Sequence, residues 1–356
     1  MSALTEVPGA DLVALTSALV AVPSVSRNEE ALAGAVEARL RRAPGLVVER
    51  VGVNVVARTE RGRPQRVVMA GHLDTVPPNG NETPRIQGDV LYGLGSADMK
   101  SGLAVMLRLA EEVAAIARFD TTYVFYESEE IADEYNGLRL LFADRPDLVA
   151  GDFAVVLEPT ANWLEAGCQG SLRLEAIFHG TRAHTARPWQ GVNALHRAAP
   201  VLARLAGFTP EPVEMDGLTF RQALQVVAMH GGVAGNVVPD RCSLVVNRRY
   251  APTLTIEEAE AEVRALLDGA DEVVVESVSP AASPNLTHPL VAEFATRLDL
   301  PVRTKLGWTD VARFTAHGVP AVNFGPGDPE VSHTAGEHVT RSALDNCYDA
   351  LSGFLC

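Results

Sequence analysis

The sequence is poor in cysteine. Only Cys168, Cys242, Cys347 and Cys356 occur among 356 residues, with no CxxC pair and no close cluster. That excludes a disulfide framework and a cysteine-zinc site, and it makes a reducing cytoplasm the expected location. No apolar run approaches the ~20 residues a membrane-spanning helix needs. The start of the chain lacks the basic stretch and small-residue cleavage site of a signal peptide. Basic residues are in deficit, 30 Lys plus Arg against 45 Asp plus Glu, for a formal charge of −15. Such a chain lacks the basic face of a nucleic-acid binder and the polybasic patch of a membrane-surface protein. Taken alone, the charge suggests a cationic partner. There is no internal repeat, no low-complexity tract, no GxSxG elbow and no P-loop.

What is present is ordinary globular material, 47% hydrophobic, in a chain longer than one core usually serves. Two domains are expected. Leu12 to Val22 reads as an amphipathic helix capped by Asp11. From residue 66 to 158 strands alternate with helices. Arg66–Ala70, Thr121–Tyr126 and Phe153–Leu157 read as strands. Lys100–Ala115, with Glu111 and Glu112 outward, and Gly137–Phe142, broken near Pro146, read as helices. This is the pattern of an α/β domain with a mostly parallel sheet.

The middle of the chain changes character. Ser171–Gly180 alternates like a half-exposed antiparallel strand. A helix is expected over Val192–Ala206, with Pro200 starting a turn or kinking the axis. Strands follow at Ala223–Ala228 and Cys242–Arg249, then a helix at Ile256–Leu267 and a strand at Glu272–Ser277. That order predicts a small α+β sandwich. The α/β pattern resumes with a helix near Leu290–Leu298, a strand near Ala321–Phe324 and a final helix. The second domain is thus expected as an insertion over 171–282, between residues 1–170 and 283–356 of the first.

Ligands of α/β sheets sit beyond the carboxyl ends of the strands. There the chain carries His72 and Asp74, Asp98, Glu127 to Glu130, Glu158, and His333. Imidazoles mixed with carboxylates suit zinc or a related divalent ion, and two ions if one carboxylate bridges. In an extended HxD segment residues i and i+2 share a face, so Asp74 can orient His72. Adjacent Glu129 and Glu130 cannot both point at one atom, so one is expected to ligate and the other to handle protons. His179, His196, His230, His288 and His317 are read as structural.

The segments GHLDTVP (71–77), YGLGSADMKSG (92–102), SEEIADEYNGL (128–138), EP (158–159), AHTARP (183–188), GNVVPD (235–240) and HTAGEHV (333–339) together resemble the M20 metallopeptidase family, in order and spacing over nearly the whole chain. The segment 305–333 is similar to the actinobacterial type of succinyl-diaminopimelate desuccinylase. The resemblance implies a zinc-exopeptidase-like catalytic domain with a ferredoxin-like inserted lid that also dimerises. It implies two divalent metals, zinc first and cobalt as the alternative, with His72, Asp98 and Glu158 on one and Asp98, Glu130 and His333 on the other. Asp74 would orient His72, Glu129 would be the general base, and the Asp98–Met99 peptide would be cis. His184 would reach the partner subunit's site and bind the oxyanion. Asn236, Arg249 and Thr309 would contact substrate, with Arg248 as a further positive charge.

The implied reaction is hydrolysis of N-succinyl-LL-2,6-diaminopimelate to succinate and LL-2,6-diaminopimelate. The competing readings are another M20 amidohydrolase (acetylornithine deacetylase, aminoacylase or carboxypeptidase) and a non-catalytic zinc-binding protein, which a missing ligand or base would favour. Two departures bear on substrate. Leu94 stands where many relatives have arginine, and Cys168-Gln169 stands where some desuccinylases have an arginine pair. The implied substrate, an N-acyl amino acid, is an anion. Net charge therefore bears on solubility, and bound metals would set the local sign.

Overall fold

The computed structural model describes residue 4, residues 6–297, residue 299 and residues 301–356. The chain forms two compact units. The first comprises Met1–Ala166, Asn285–Arg303 and Thr309–Cys356; the second comprises Gly167–Pro284 and Thr304–Trp308. Thr304–Trp308 was expected with the first domain and groups with the second.

The first unit is built on an eight-stranded sheet, two of whose strands end in residues grouped with the second unit. Its strands run in the order Val47–Val51, Asn54–Arg58, Asp120–Tyr126, Arg66–His72, Phe153–Val156, Ala321–Asn323, Leu164–Cys168, Val302–Lys305. The four central strands, 120–126, 66–72, 153–156 and 321–323, are parallel. They read as continuous apolar runs because both faces are covered: Val67, Met69, Tyr123, Phe125, Phe153 and Val155 all lie in the core. Helices Leu12–Val20, Lys100–Glu112 and Arg341–Leu355 pack against one another on this core. Asp11 caps the first of them, accepting from the Ala14 N–H at 3.2 Å. Gly71 lets the Lys100–Glu112 helix approach the strand just before His72. A Cβ there would fall 2.7 Å from Met99 Cε and 2.8 Å from Leu103.

Several boundaries differ from the sequence expectation. Lys100–Ala115 ends at Glu112, and Glu111 is not outward but ion-paired with buried Arg39 at 2.6 Å. The helix from Gly137 runs to Asp144, and Pro146 starts a separate turn at Pro146–Val149. The helix expected over Leu290–Leu298 is Pro289–Arg297; Leu298 lies outside the described residues.

The second unit holds a four-stranded antiparallel sheet in the order Ala223–Gly231, Arg241–Tyr250, Gly170–His179, Glu272–Ser279. Helices Ala194–Gly207 and Ile256–Leu266 complete a strand–helix–strand–strand–helix–strand chain, the ferredoxin-like arrangement. Pro200 neither starts nor ends its helix, which continues from Ala194 to Gly207. Pro200 and His196 both face solvent, so water can serve the carbonyl that the missing N–H leaves.

Candidate active site

Within the first unit, the parallel strands deliver their ends to one place. His72 is the last residue of strand 66–72, and Asp74 follows it. Asp98 precedes the helix that begins at Lys100, after a cis Asp98–Met99 peptide. Glu129 and Glu130 follow strand 120–126. Glu158 follows strand 153–156 and is buried. His333 sits in the loop after strand 321–323, in the left-handed region at φ 61°.

Asp98 is the centre of the cluster. Its Oδ1 lies 3.2 Å from His72 Nε2, and its Oδ2 lies 3.4 Å from His333 Nε2. One oxygen thus faces each imidazole. His333 Nε2 also meets Glu130 Oε1 at 2.9 Å. Potential ligand atoms of His72, Asp98 and Glu130 lie within 4.8 Å of one another. The far side of His72 is held by Asp74, whose main-chain oxygen is 3.1 Å and carboxylate 3.4 Å from Nδ1. Asp74 does more than the HxD spacing indicated. Its two carboxylate oxygens also accept the N–H groups of Glu129 and Glu130, at 3.0 and 3.1 Å.

The electrostatics follow from crowding. Burial opposes charge on His72, but hydrogen bonds to Asp74 and Asp98 outweigh it and raise its pKa well above the usual imidazole range. The Asp98 and Glu130 carboxylates raise His333 to about 10. Burial opposes ionisation of Asp98, yet the two histidines hold it well below the ordinary carboxylate value. Burial, reinforced by the negative charge of Glu158, pushes Glu129 well above the ordinary glutamate value. These carboxylates demand positive charge, and nitrogen and oxygen donors with that demand fit a divalent cation. The orientation of His72 by a carboxylate on its other nitrogen is the usual support of a metal-binding imidazole.

Three supporting residues were not singled out by sequence. Glu337, 1% exposed, accepts the N–H groups of Gly95 and Ala97 at 2.9 Å and of Asp98 at 3.0 Å, fixing the loop that carries Asp98. Lys100, 2% exposed, donates to the Val22 carbonyl at 2.8 Å, and burial lowers its pKa to about 7. Asp310, fully buried, joins Asn136 at 3.0 Å and Arg313 at 2.8 Å. Glu337 and Lys100 lie inside the HTAGEHV and YGLGSADMKSG segments, but residue type alone does not reveal capture of backbone groups.

The remaining candidates are placed as follows. Thr309 is buried in the first unit and donates its hydroxyl to Asn323 Oδ1 at 2.9 Å, so that proton is already used. Leu94 is buried, its N–H on the Asn81 carbonyl at 2.7 Å. His184, Asn236 and Arg249 belong to the second unit. His184 is exposed, and its Nδ1 accepts the Ala186 N–H at 3.0 Å, which places the ring proton on Nε2. The Asn236 carbonyl accepts from the Thr185 N–H at 3.0 Å. Arg249 is half-buried; burial and the neighbouring Arg173 lower its pKa. Arg248 is not an available charge. It is 1% exposed and paired with Glu262 at 2.8 Å, because alternate residues of a strand face opposite sides.

The family model of peptidase family M20/M25/M40 matches residues 68–356. This chain belongs to that family. A Corynebacterium glutamicum succinyl-diaminopimelate desuccinylase is 43% identical over 361 residues, covering 98% of each chain. Among solved structures, the aminopeptidase PepT from Bacillus cereus superposes with a TM-score of 0.79 at 21% identity, over 98% of each chain. A dinuclear metal-binding M20 peptidase from Bacillus subtilis gives 0.71 at 14% identity, over 98% of this chain and 97% of that one. The M20 motifs at 71–77, 92–102, 128–138 and 333–339 are the segments that carry the cluster described above. No helix among the described residues is long and apolar enough to cross a membrane.

Proposed function

We propose that this M20 chain hydrolyses the amide of N-succinyl-LL-2,6-diaminopimelate, releasing succinate and LL-2,6-diaminopimelate for lysine and cell-wall synthesis. The observation that carries a two-metal hydrolase is Asp98, with one carboxylate oxygen toward His72 and the other toward His333. The choice of substrate is supported by the C. glutamicum desuccinylase, similar over 98% of both chains.

His72, Asp98 and Glu158 would hold one divalent ion, and Asp98, Glu130 and His333 the other; zinc is the assignment, with cobalt the alternative. When bound, the ions supply Lewis-acid charge that acidifies water and polarises the carbonyl. Glu129 takes the proton of the attacking water. It then passes that proton to the leaving amine. Asp74 fixes the His72 ring and, through two backbone N–H groups, the start of the Glu129–Glu130 turn. His184 would stabilise the oxyanion through Nε2–H from the partner subunit of a homodimer, with the inserted unit as lid and dimerisation domain. Such a donor is worth roughly 3–4 kcal/mol in other enzymes. Arg249 and Asn236 would bind a substrate carboxylate. Arg249 is suited to that role because it carries a half-desolvated charge beside Arg173. We place the enzyme in the cytoplasm, where its four free cysteines stay reduced.

The test is turnover of N-succinyl-LL-2,6-diaminopimelate beside N-acetylornithine, with metal stripped and with zinc restored. The expected result is metal-dependent turnover with kcat/KM favouring the succinyl substrate. Preference for acetylornithine would move the chain to another M20 amidohydrolase activity, and turnover by neither would favour a binding role. Mixing inactive Glu129→Gln and His184→Ala subunits should restore part of the activity. No rescue among exchanging subunits would remove His184 from the partner's site.

A further inference from the structure

The segment from Ser24 to Glu29 lies far from the ligand motifs in sequence and touches the site from behind. Val25 forms a parallel bridge with Thr75, and the Ser26 N–H donates to the Thr75 carbonyl at 3.2 Å. Three side chains then leave this strap for the site's supports. The Ser26 hydroxyl donates to Asp74 Oδ2 at 2.7 Å. Glu29, 1% exposed, accepts the Ser128 N–H and the Ser128 hydroxyl, both at 3.1 Å. The Arg27 guanidinium lies 4.2 Å from the centre of the Tyr135 ring, just beyond the Glu129–Glu130 turn.

Ser128 is the informative neighbour. It sits in the left-handed region at φ 57°, which disfavours an L side chain. That conformation turns the chain at the end of strand 120–126, and Asp74 then receives the N–H groups of both Glu129 and Glu130. A carboxylate buried against Ser128 holds the strained residue from one side while Asp74 holds its successors from the other. Glu29 also accepts the Arg27 N–H at 3.0 Å, so a single oxygen, Oε1, gathers three donors.

We propose that Glu29 is a positioning residue for Glu129, acting through Ser128, with Ser26 supporting the same turn through Asp74. This rests on Glu129 being the general base. The charge of Glu29 is not what the arrangement uses; the acceptor is. Glu29→Gln, whose Oε1 can accept the same donors, should keep kcat within about threefold of the parent, whereas Glu29→Ala should lower it about tenfold to a hundredfold with KM little changed. Metal content, measured on the same zinc-loaded samples, should match the parent. Combined with Glu129→Gln, the Glu29→Ala change should add little, because the group it positions is already lost.

The outcomes separate the two claims. If Glu129→Gln is inactive while Glu29→Ala keeps the parent kcat, the positioning role fails alone. If Glu129→Gln turns over near the parent rate, the base assignment fails and takes the positioning role with it. Multiplicative losses in the double variant, or metal loss that tracks kcat, also overturn the proposal. Should Glu29→Ala not fold, Ser26→Ala carries the test. A fall in kcat restored by Ser26→Thr, which keeps the hydroxyl, supports the strap, and a parent-like kcat in Ser26→Ala overturns it.

Discussion

In the ferredoxin-like unit, Asp271 meets Arg197 at 2.6 Å and Asp240 meets Arg182 at 2.7 Å, all four side chains reaching solvent. In the first unit, Asp98 and Glu130 meet imidazoles instead, with side chains only 12% and 10% exposed. An exposed arginine pair is a neutral, screened arrangement that contributes little. A buried carboxylate group whose counter-charges are histidines is costly, and a divalent cation would stabilise it further. Asp120 lies between these extremes. It is buried, but Thr59, Arg61 and Arg63 supply it with three hydrogen bonds at 2.8–2.9 Å. The three environments show that the 45 acidic residues are not one population.

The largest expected effect at the site is from Glu129→Gln, with kcat falling about 10²–10⁴-fold while metal analysis finds both ions in place. Substantial turnover would put the base elsewhere. Next is His333→Ala, expected to lose one metal equivalent; full occupancy would strike His333 from the ligands. A smaller effect is expected from Asp120→Asn. Burial opposes ionisation of Asp120, but its hydrogen bonds outweigh that and depress its folded pKa. Its stabilisation is therefore complete above the unfolded value of about 3.9 and is lost as pH falls through the lower folded value. The variant's stability should be lower at neutral pH and change less on acidification, as followed by denaturant melts. An equal acid response would show that Asp120 behaves like a surface group. The smallest effect belongs to Asp271→Asn, where melting temperature and kcat should both match the parent. A large loss in either would erase the contrast between the two regions.

Much of this contrast could be read in the sequence because strand ends collect ligands. His72, Asp98, Glu130 and His333 each follow or precede an element whose pattern is plain, and the structure brings them together. The ferredoxin-like order was equally legible from the sequence of strands and helices. Other features were not, for identifiable reasons. Arg248 and Arg249 differ by one position on a strand, and only packing against Glu262 shows which is buried. Pro200 reads as starting a turn or kinking the axis, and only the structure shows that the helix runs on past it with its side toward water. Glu29 and Glu337 work by accepting backbone N–H groups from residues 99 and 239 positions away, and no spacing rule encodes such partners. Thr309 is expected to contact substrate, and the sequence does not show that its hydroxyl donates to Asn323.

The reach of Glu337 has a consequence for synthesis on the ribosome. Asp98 emerges early, yet the carboxylate that fixes its loop and the imidazole of His333 follow more than 230 positions later. A nascent chain that has exposed His72, Asp98 and Glu130 therefore still lacks His333 and Glu337 while the whole inserted unit is being made. Coordination by the full proposed set would wait until residues 333–337 have left the exit tunnel. A metal centre built from these residues would thus be completed only in the nearly finished chain, because His333 and Glu337 are among its last parts to be made.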